Sequence, residues 1–528
     1  MRFDGESGRT SAPDVSVVVA VYNTMPYLTT CLTSLVEQTI GRDRLQVVAV
    51  DDGSTDGSGE ELDRFAARYP ETFTVLHQAN SGGPAAPSNR ALERATGRYV
   101  FFIGSDDHLG PEALERLVTA ADRWESDVVL GRMVGTNKRY VHQAVYASSA
   151  PDVDLFDSEL PWSLSNTKLF RRDLVERHHL RFREDMPMGS DQPFTLEACY
   201  RARRISVLAD YDYYFAVRRE NAQNITYRSR HEERLRCAEE IVDFVAGLIE
   251  PGQRRDAVLV RHFTWEVAKL LRKDFLDLPE DAQQQVHTRI RKLADQYLTD
   301  GIRDRLPADV RLRLAIAQHG DLAQLLDLVR QQAVGELPPV TVEDGRWYAG
   351  YVGFRDPRLS LPDDLYDVTD RAGEIMARLV ATDLTWRHDP AGNRVLTVTA
   401  RPPWTSPGTE ACGPLRIGVG ELTVDGVVSG GRDGTVVRAD LPADELVRAV
   451  GSGRQVVRAR GEGSGSRPVP VRAERRLSAP RVVVRQGVRL HLVTPTVNHK
   501  GQVIVAVTPV TPRRLIARLR RIWPSGGK

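Results

Sequence analysis

At 528 residues, with 41% hydrophobic and 27% charged side chains, the chain is long enough for two to four domains and too apolar for a disordered polymer. A formal net charge of +1 excludes global steering by bulk nucleic acid, so any electrostatic function has to be local. Cys31, Cys199, Cys237 and Cys412 lack CxxC spacing, which argues against a thiolate zinc site and fits a reducing compartment. The opening segment MRFDGESGRTSAPD has no secretory apolar core, and no apolar run nears the roughly 20 residues of a spanning helix. A cytoplasmic protein is expected.

The first region, about 13–230, alternates apolar strands with amphipathic helices. Val15–Val21 is broken only by Ser16, as suits a parallel strand covered on both faces. Pro26 opens a helix whose one face carries Leu28, Leu32, Leu35 and Val36. Strands are expected at Val47–Val50, Phe73–Leu76, Tyr99–Ile103 and Asp127–Leu130, with helices at Pro84–Thr96 and Pro111–Trp124. This rhythm specifies an α/β sheet with right-handed crossovers. The second region, 231–335, loses the strand signal and reads as a small helical linker domain, with Leu259, Phe263, Val267, Leu270 and Leu271 in one stripe.

The third region, 340–510, turns to Val, Thr, Gly and Arg. Strands are expected at Val395–Arg401, Leu415–Val419, Thr435–Leu441, Arg454–Arg460, Val482–Arg485, Val488–Val493 and Gln502–Val507, an immunoglobulin-like β-sandwich signature. A basic tail, 511–528, follows. Between 513 and 523 it sets Leu515, Ile516, Leu519, Ile522 and Trp523 on one helical face and Arg514, Arg518 and Arg521 on another. That pattern suits an anionic membrane surface, or equally a helix docked on the β domain or on another subunit.

Two acidic loops stand at strand ends. Asp51-Asp52-Gly53-Ser54-Thr55-Asp56 follows the second strand and Gly104-Ser105-Asp106-Asp107 the fourth. Ligands of open α/β sheets bind beyond the carboxyl ends of strands. One loop can accept hydrogen bonds from a base or ribose, and the other can hold a hard divalent cation against phosphate. Either loop alone is also an ordinary Asx-rich turn. Ser190-Asp191 before PFTLEACYRA is open to reading as a helix N-cap.

The segments VSVVVAVYN, VVAVDDGSTD, NSGGPAAPSNRAL and YVFFIGSDD together resemble family 2 glycosyltransferases of the GT-A fold. SNTKLFRRDLV and GSDQPFTLEACYRARRISVLADYDYYFAVRRENAQNIT narrow the resemblance to the TarS-type wall teichoic acid glycosyltransferases, whose layout of catalytic, linker and β modules also matches. The similarity covers about residues 14–228 and is architectural beyond. It implies an inverting enzyme that transfers a sugar from a UDP-sugar, UDP-GlcNAc being one candidate, to a hydroxyl of a polyol-phosphate or other envelope glycan. Mn²⁺ or Mg²⁺ is the implied cofactor.

Carried over residue by residue, the resemblance makes Asp52 the receiver of uracil, with Tyr22 and Asn80 near the nucleoside. Asp106, facing the diphosphate, and Asp107 beside it become metal ligands, and Asp191 the general base. Arg218 and Arg219 are candidates to grip diphosphate or an anionic acceptor. The family's metal-completing histidine falls at Gln223 or Asn224. Other departures are Gly104 for the first acid of DSDD, Ser88 for an arginine near the nucleotide, and Ser190 for the acid before the base. These departures support a rival reading, a sugar- or nucleotide-binding pseudoenzyme serving as a cell-wall scaffold. A homo-oligomer through the β region is compatible with either reading.

Overall fold

A computed structural model describes residues 12–219, 230–405, 415–431, 434–461, 467–473 and 476–511. Gln223, Asn224, Cys412 and the tail from 512 onward lie outside the described residues. Two compact units divide the chain between Leu314 and Ala315.

The first unit is built on a seven-stranded sheet. Its strands are β1 (Val15–Val21), β2 (Leu45–Asp51), β3 (Phe73–His77), β4 (Tyr99–Gly104), β6 (Val128–Gly131), β8 (Leu169–Arg171) and β9 (Ile205–Leu208), in the order β3-β2-β1-β4-β8-β6-β9. β1, β2, β3 and β4 run parallel, and β8 is antiparallel to both neighbours. A three-stranded sheet joins β5 (His108–Leu109), β10 (Tyr214–Val217) and β7 (Met133–Thr136). The central strands are apolar throughout because helices cover both faces. Val17, Val47, Phe101 and Val129 are buried with Leu28 and Leu32 of helix α1 (Tyr27–Val36) and with Leu114 and Leu117 from Ala113–Trp124.

Register positions the chemistry. Val21 pairs with Asp51 and Ala20 with Gly104, so the carboxyl ends of β1, β2 and β4 lie side by side. The chain leaving β1 at Tyr22-Asn23 therefore runs between the two acidic loops.

Residues 231–314 are helical, as the sequence indicates. His231–Leu248 packs on Asp191–Arg201 and on Gln253–His262, which continues into a π-helical turn, Phe263–Val267. Such a turn inserts one extra residue per hydrogen-bonded ring and frequently marks a functional site.

The second unit begins within helix Ala308–His319, continues with helix Leu322–Val334 and is otherwise mainly β. Most of its strands pair in one path from Arg472–Ala473 at one end to Val482–Gln486 at the other, around a core that includes Val398, Val437, Val457, Val493 and Val505. The expected β-rich region is present. A separate three-stranded sheet joins Arg346–Ala349, Val340–Glu343 and Trp404–Thr405, and the arrangement does not single out an immunoglobulin fold. An unexpected helix, Ala443–Val450, buries Leu446, Val447 and Val450 against the strands.

Candidate active site

Asp52 follows β2 and is almost wholly buried, 2% exposed. Its carboxylate accepts from Gln78 Nε2 at 2.6 Å and from the backbone N–H (3.0 Å to Oδ2) and hydroxyl (2.9 Å) of Ser81. Asn80 Nδ2 donates to the Asp52 carbonyl at 3.1 Å. Gly53 adopts φ +77°, and a Cβ there would stand 2.8 Å from the Asn80 nitrogen, so only glycine lets the two loops close. The result is a fixed acceptor group at the sheet edge, pre-oriented by donors from the β3 side. Neighbouring Asp51 is pushed up by burial, but hydrogen bonds from Ser54 and His77 outweigh this and hold its carboxyl below the ordinary range.

The β1 exit is stitched to the same loop. The Asn23 N–H donates to Ser54 Oγ at 3.1 Å, Asn23 Oδ1 accepts from the Thr55 N–H at 2.8 Å, and the Met25 N–H donates to Asp56 Oδ2 at 2.9 Å. Tyr22 remains 46% exposed beside this seam, so its ring is available to a ligand.

The second acidic loop behaves differently at its two carboxylates. Asp107 is buried, and both its oxygens serve the protein: Tyr214 donates to Oδ2 at 2.6 Å, and the Val217 N–H donates to Oδ1 at 2.7 Å. Arg139 Nη1 adds a longer contact to Oδ1 at 3.3 Å. Burial first, then repulsion from Asp106, pushes the Asp107 carboxyl up to about 7. A Cβ at Gly104 would stand 2.8 Å from Asp107 Oδ2, so an acid at 104 has no room while Asp107 keeps these bonds. Asp106 instead pairs with Arg219, whose Nε donates to Oδ2 at 2.8 Å while its Nη1 donates to the Asn23 carbonyl at 3.2 Å. Arg218, next to it, is exposed.

A divalent cation fits this loop in charge and donor type. Hard cations at substrate phosphates need only one or two carboxylates from the protein. Asp106 supplies one, beside the buried carboxyl of Asp107. Among the described residues there is no group of three or more His, Cys, Asp or Glu side chains that could hold a metal by itself.

Asp191 is the first residue of helix Asp191–Arg201. Ser190, at the N-cap, makes no side-chain capping bond, so capping does not account for the serine. Burial pushes the Asp191 carboxyl up, opposed by the positive charges of Arg261 and Lys168. Lys168 is itself fully buried, donates to the Ser165 carbonyl at 2.5 Å, and is pushed down to about 8 by burial. Arg261 Nη1 donates to Gln192 Oε1 at 2.7 Å and to Glu266 Oε2 at 2.9 Å. Burial raises Glu266, but Arg261 and His262 overcome that and hold it down at about 2. The segment before Asp191 also reaches the nucleotide side. A Cβ on Gly83 would lie 3.1 Å from Pro187, and Asn89 Nδ2 donates to Glu184 Oε1 at 2.9 Å.

Asp52, Asn80, Asp106, Arg219 and Tyr22 thus share one sheet edge, and contacts at Gly83 connect it to the Asp191 segment. Sequence reading missed Gln78, Ser81, Tyr214, Lys168, Arg261 and Glu266. SGGP and TKLFR pointed to Ser81 and Lys168. No local signal marks Arg261 or Glu266.

Residues 16–184 match the family Glycosyl transferase family 2, and residues 232–329 match the Glycosyl transferase TarS linker domain. The chain carries a family 2 glycosyltransferase domain of GT-A fold followed by a TarS linker domain. Among curated relatives, the poly(ribitol-phosphate) beta-glucosyltransferase of Bacillus spizizenii is 32% identical over 365 residues, covering 67% of this chain and 56% of that protein. The chain thus spans about half of that relative's length. Crystalline S. aureus TarS 1-349 in complex with UDP-GlcNAc aligns at a TM-score of 0.56 with 28% identity, covering 64% of this chain and 97% of that one. A longer S. aureus TarS structure shares the fold over 95% of this chain and 86% of its own, at a TM-score of 0.59 and 22% identity.

Proposed function

We propose that the chain is an inverting, metal-dependent glycosyltransferase moving a sugar from a UDP-sugar to a hydroxyl of a polyol-phosphate polymer of the cell envelope. The observation that carries this reading is the junction of two sites. The Ser81–Gly83 loop that fixes Asp52 touches Pro187, four residues before Asp191. The relatives add the chemistry. One acts on poly(ribitol phosphate), and TarS has been crystallised with UDP-GlcNAc.

In this reading Asp52 accepts a hydrogen bond from uracil, with Asn80 and Tyr22 flanking the nucleoside. Arg219 and Arg218 face the diphosphate. Mn²⁺ or Mg²⁺ bound at Asp106 would supply Lewis-acid neutralisation of the leaving diphosphate. Asp107, first grouped with the metal ligands, is better placed to hold the loop, since Tyr214 and Val217 occupy its oxygens. Gln223 stays a proposed ligand. Asp191 takes the proton of the acceptor hydroxyl as that oxygen attacks the anomeric carbon opposite the diphosphate, and one displacement inverts the centre. Arg261 and Lys168 favour the ionised base.

The Arg219–Asp106 pair also favours a second reading, a nucleotide-binding scaffold in which Asp106 is neutralised from within. Release of free UDP from UDP-GlcNAc, dependent on Mn²⁺ and lost in Asp191→Asn, tests the enzyme against the scaffold. The segments 13–230, 231–335, 340–510 and 511–528 are proposed as working modules. The tail 513–523 as a membrane contact, the β region as a route to a homo-oligomer, and a cytoplasmic site of action belong to the same proposal. Among the described residues no helix is long and apolar enough to cross a membrane.

A further inference from the structure

The near-neutral net charge conceals a segregation. Residues 1–450 hold 55 Lys or Arg against 69 Asp or Glu, whereas residues 451–528 hold 17 against 2. Between 451 and 511 every described Lys or Arg is exposed, and none is in an ion pair with a described acid. Exposed charge of one sign concentrated along this segment favours an anionic partner.

The same segment exposes apolar side chains at one place. Val482–Gln486 and Arg489–Val497 form an antiparallel hairpin, and Val482–Gln486 ends the strand order, so among the described residues its outer edge has no partner strand. Val488, in the turn, is 94% exposed, Val483 52% and Leu490 43%. Arg481, Arg485 and Arg489 are exposed among them, and Arg485 pairs across the hairpin with Leu490. Basic residues on an edge strand are a common guard against strand addition, which would account for Arg481 and Arg485. A guard does not call for valine and leucine at the tip. A soluble polyanion would have no use for them either. An interface that is apolar inside and anionic at its rim matches both, because arginine stems lie along the apolar zone while guanidiniums stay at the headgroups.

We infer that the hairpin from Val482 to Val497 is a docking element for an anionic phospholipid bilayer, with Val488 and Leu490 entering the interface and Arg481, Arg485 and Arg489 contacting headgroup phosphates. The proposal uses none of the tail's residues, and it does not rest on the sugar-transfer reading.

The full chain is tested by co-sedimentation with phosphatidylcholine vesicles, with and without phosphatidylglycerol. Wild type is expected to bind the anionic vesicles at least tenfold more tightly, with the preference fading as salt rises. Val488→Asp/Leu490→Asp and, separately, Arg481→Glu/Arg485→Glu/Arg489→Glu should each weaken that binding at least tenfold without changing the circular dichroism spectrum or unfolding midpoint. Val488→Asp alone, in a fully exposed turn, guards against a folding defect. Binding by the apolar-tip variant equal to wild type overturns the proposal. So does wild-type binding that inorganic polyphosphate competes away while the tip variant is unaffected, which would mark a polyanion site. A smaller assembly in the tip variant would also overturn it, by making the hairpin a subunit interface. Vesicle binding needs neither donor nor acceptor, so these failures are distinguishable from failure of sugar transfer.

Discussion

Arg219 Nε donates to Asp106 at 2.8 Å, tying the segment after β10 to the acidic loop after β4. The same guanidinium holds the Asn23 carbonyl at 3.2 Å, so one side chain joins the exits of β1, β4 and β10. In the proposed reaction a diphosphate and its cation would share this position with the ion pair.

Arg219→Ala is therefore expected to weaken UDP binding roughly tenfold or more, the scale of one lost charge-assisted hydrogen bond. Arg219→Lys should recover only part, because a point charge cannot serve Asp106, Asn23 and phosphate together. Calorimetry with UDP checks both.

Asp106→Ala is expected to lower UDP affinity in Mn²⁺ or Mg²⁺ and to make the remaining affinity insensitive to chelation. Wild-type affinity should fall when the metal is removed. The contrast between the two proteins, with and without chelator, is the measurement.

Asp52→Ala should act on stability and on recognition. It orphans the donors of Gln78 and Ser81, at a cost of about 1–3 kcal/mol. It should also erase the preference for UDP over GDP, which competitive binding reads directly.

The pH dependence of transfer follows from the Asp191 environment. Burial raises this carboxyl, so the acid limb of the rate profile should lie above the ordinary carboxylate range near pH 4. Transfer requires the ionised form, so the rate rises with pH through that limb. Arg261 opposes the raise, so Arg261→Gln should move the limb further upward. A profile measured at saturating donor reports the shift.

Much of this arrangement was legible in the sequence, for a physical reason. The strands ending at Val21, Asp51 and Gly104 are apolar runs because both sheet faces are covered, and acids immediately after such runs fall at the ligand-binding edge. Legibility failed where side chains meet through packing. Arg261 and Glu266 lie 69 and 74 residues from Gln192 and reach it because the helical segment packs on Asp191–Arg201. In the second unit, Val380–His388 escaped notice because Asp383 and Thr385 interrupt its apolar pattern, and Ala443–Val450 because two turns of helix give little periodicity. The GSDD departure reads from sequence as a lost acid. The structure adds that a side chain at 104 would crowd Asp107 where Tyr214 and Val217 hold it.

The central claim is transfer with Asp191 as base, and radiolabelled sugar incorporation tests it most directly. Purified poly(ribitol phosphate) is incubated with UDP-GlcNAc or UDP-glucose, Mn²⁺, and either wild type or Asp191→Asn. Wild type should label the polymer with at least one donor. The variant should bind UDP almost as well yet label the polymer roughly 100- to 10,000-fold more slowly, the usual contribution of a general base. Near wild-type labelling by Asp191→Asn would contradict the assignment of the base, and no labelling by wild type with either donor would contradict the proposed reaction itself.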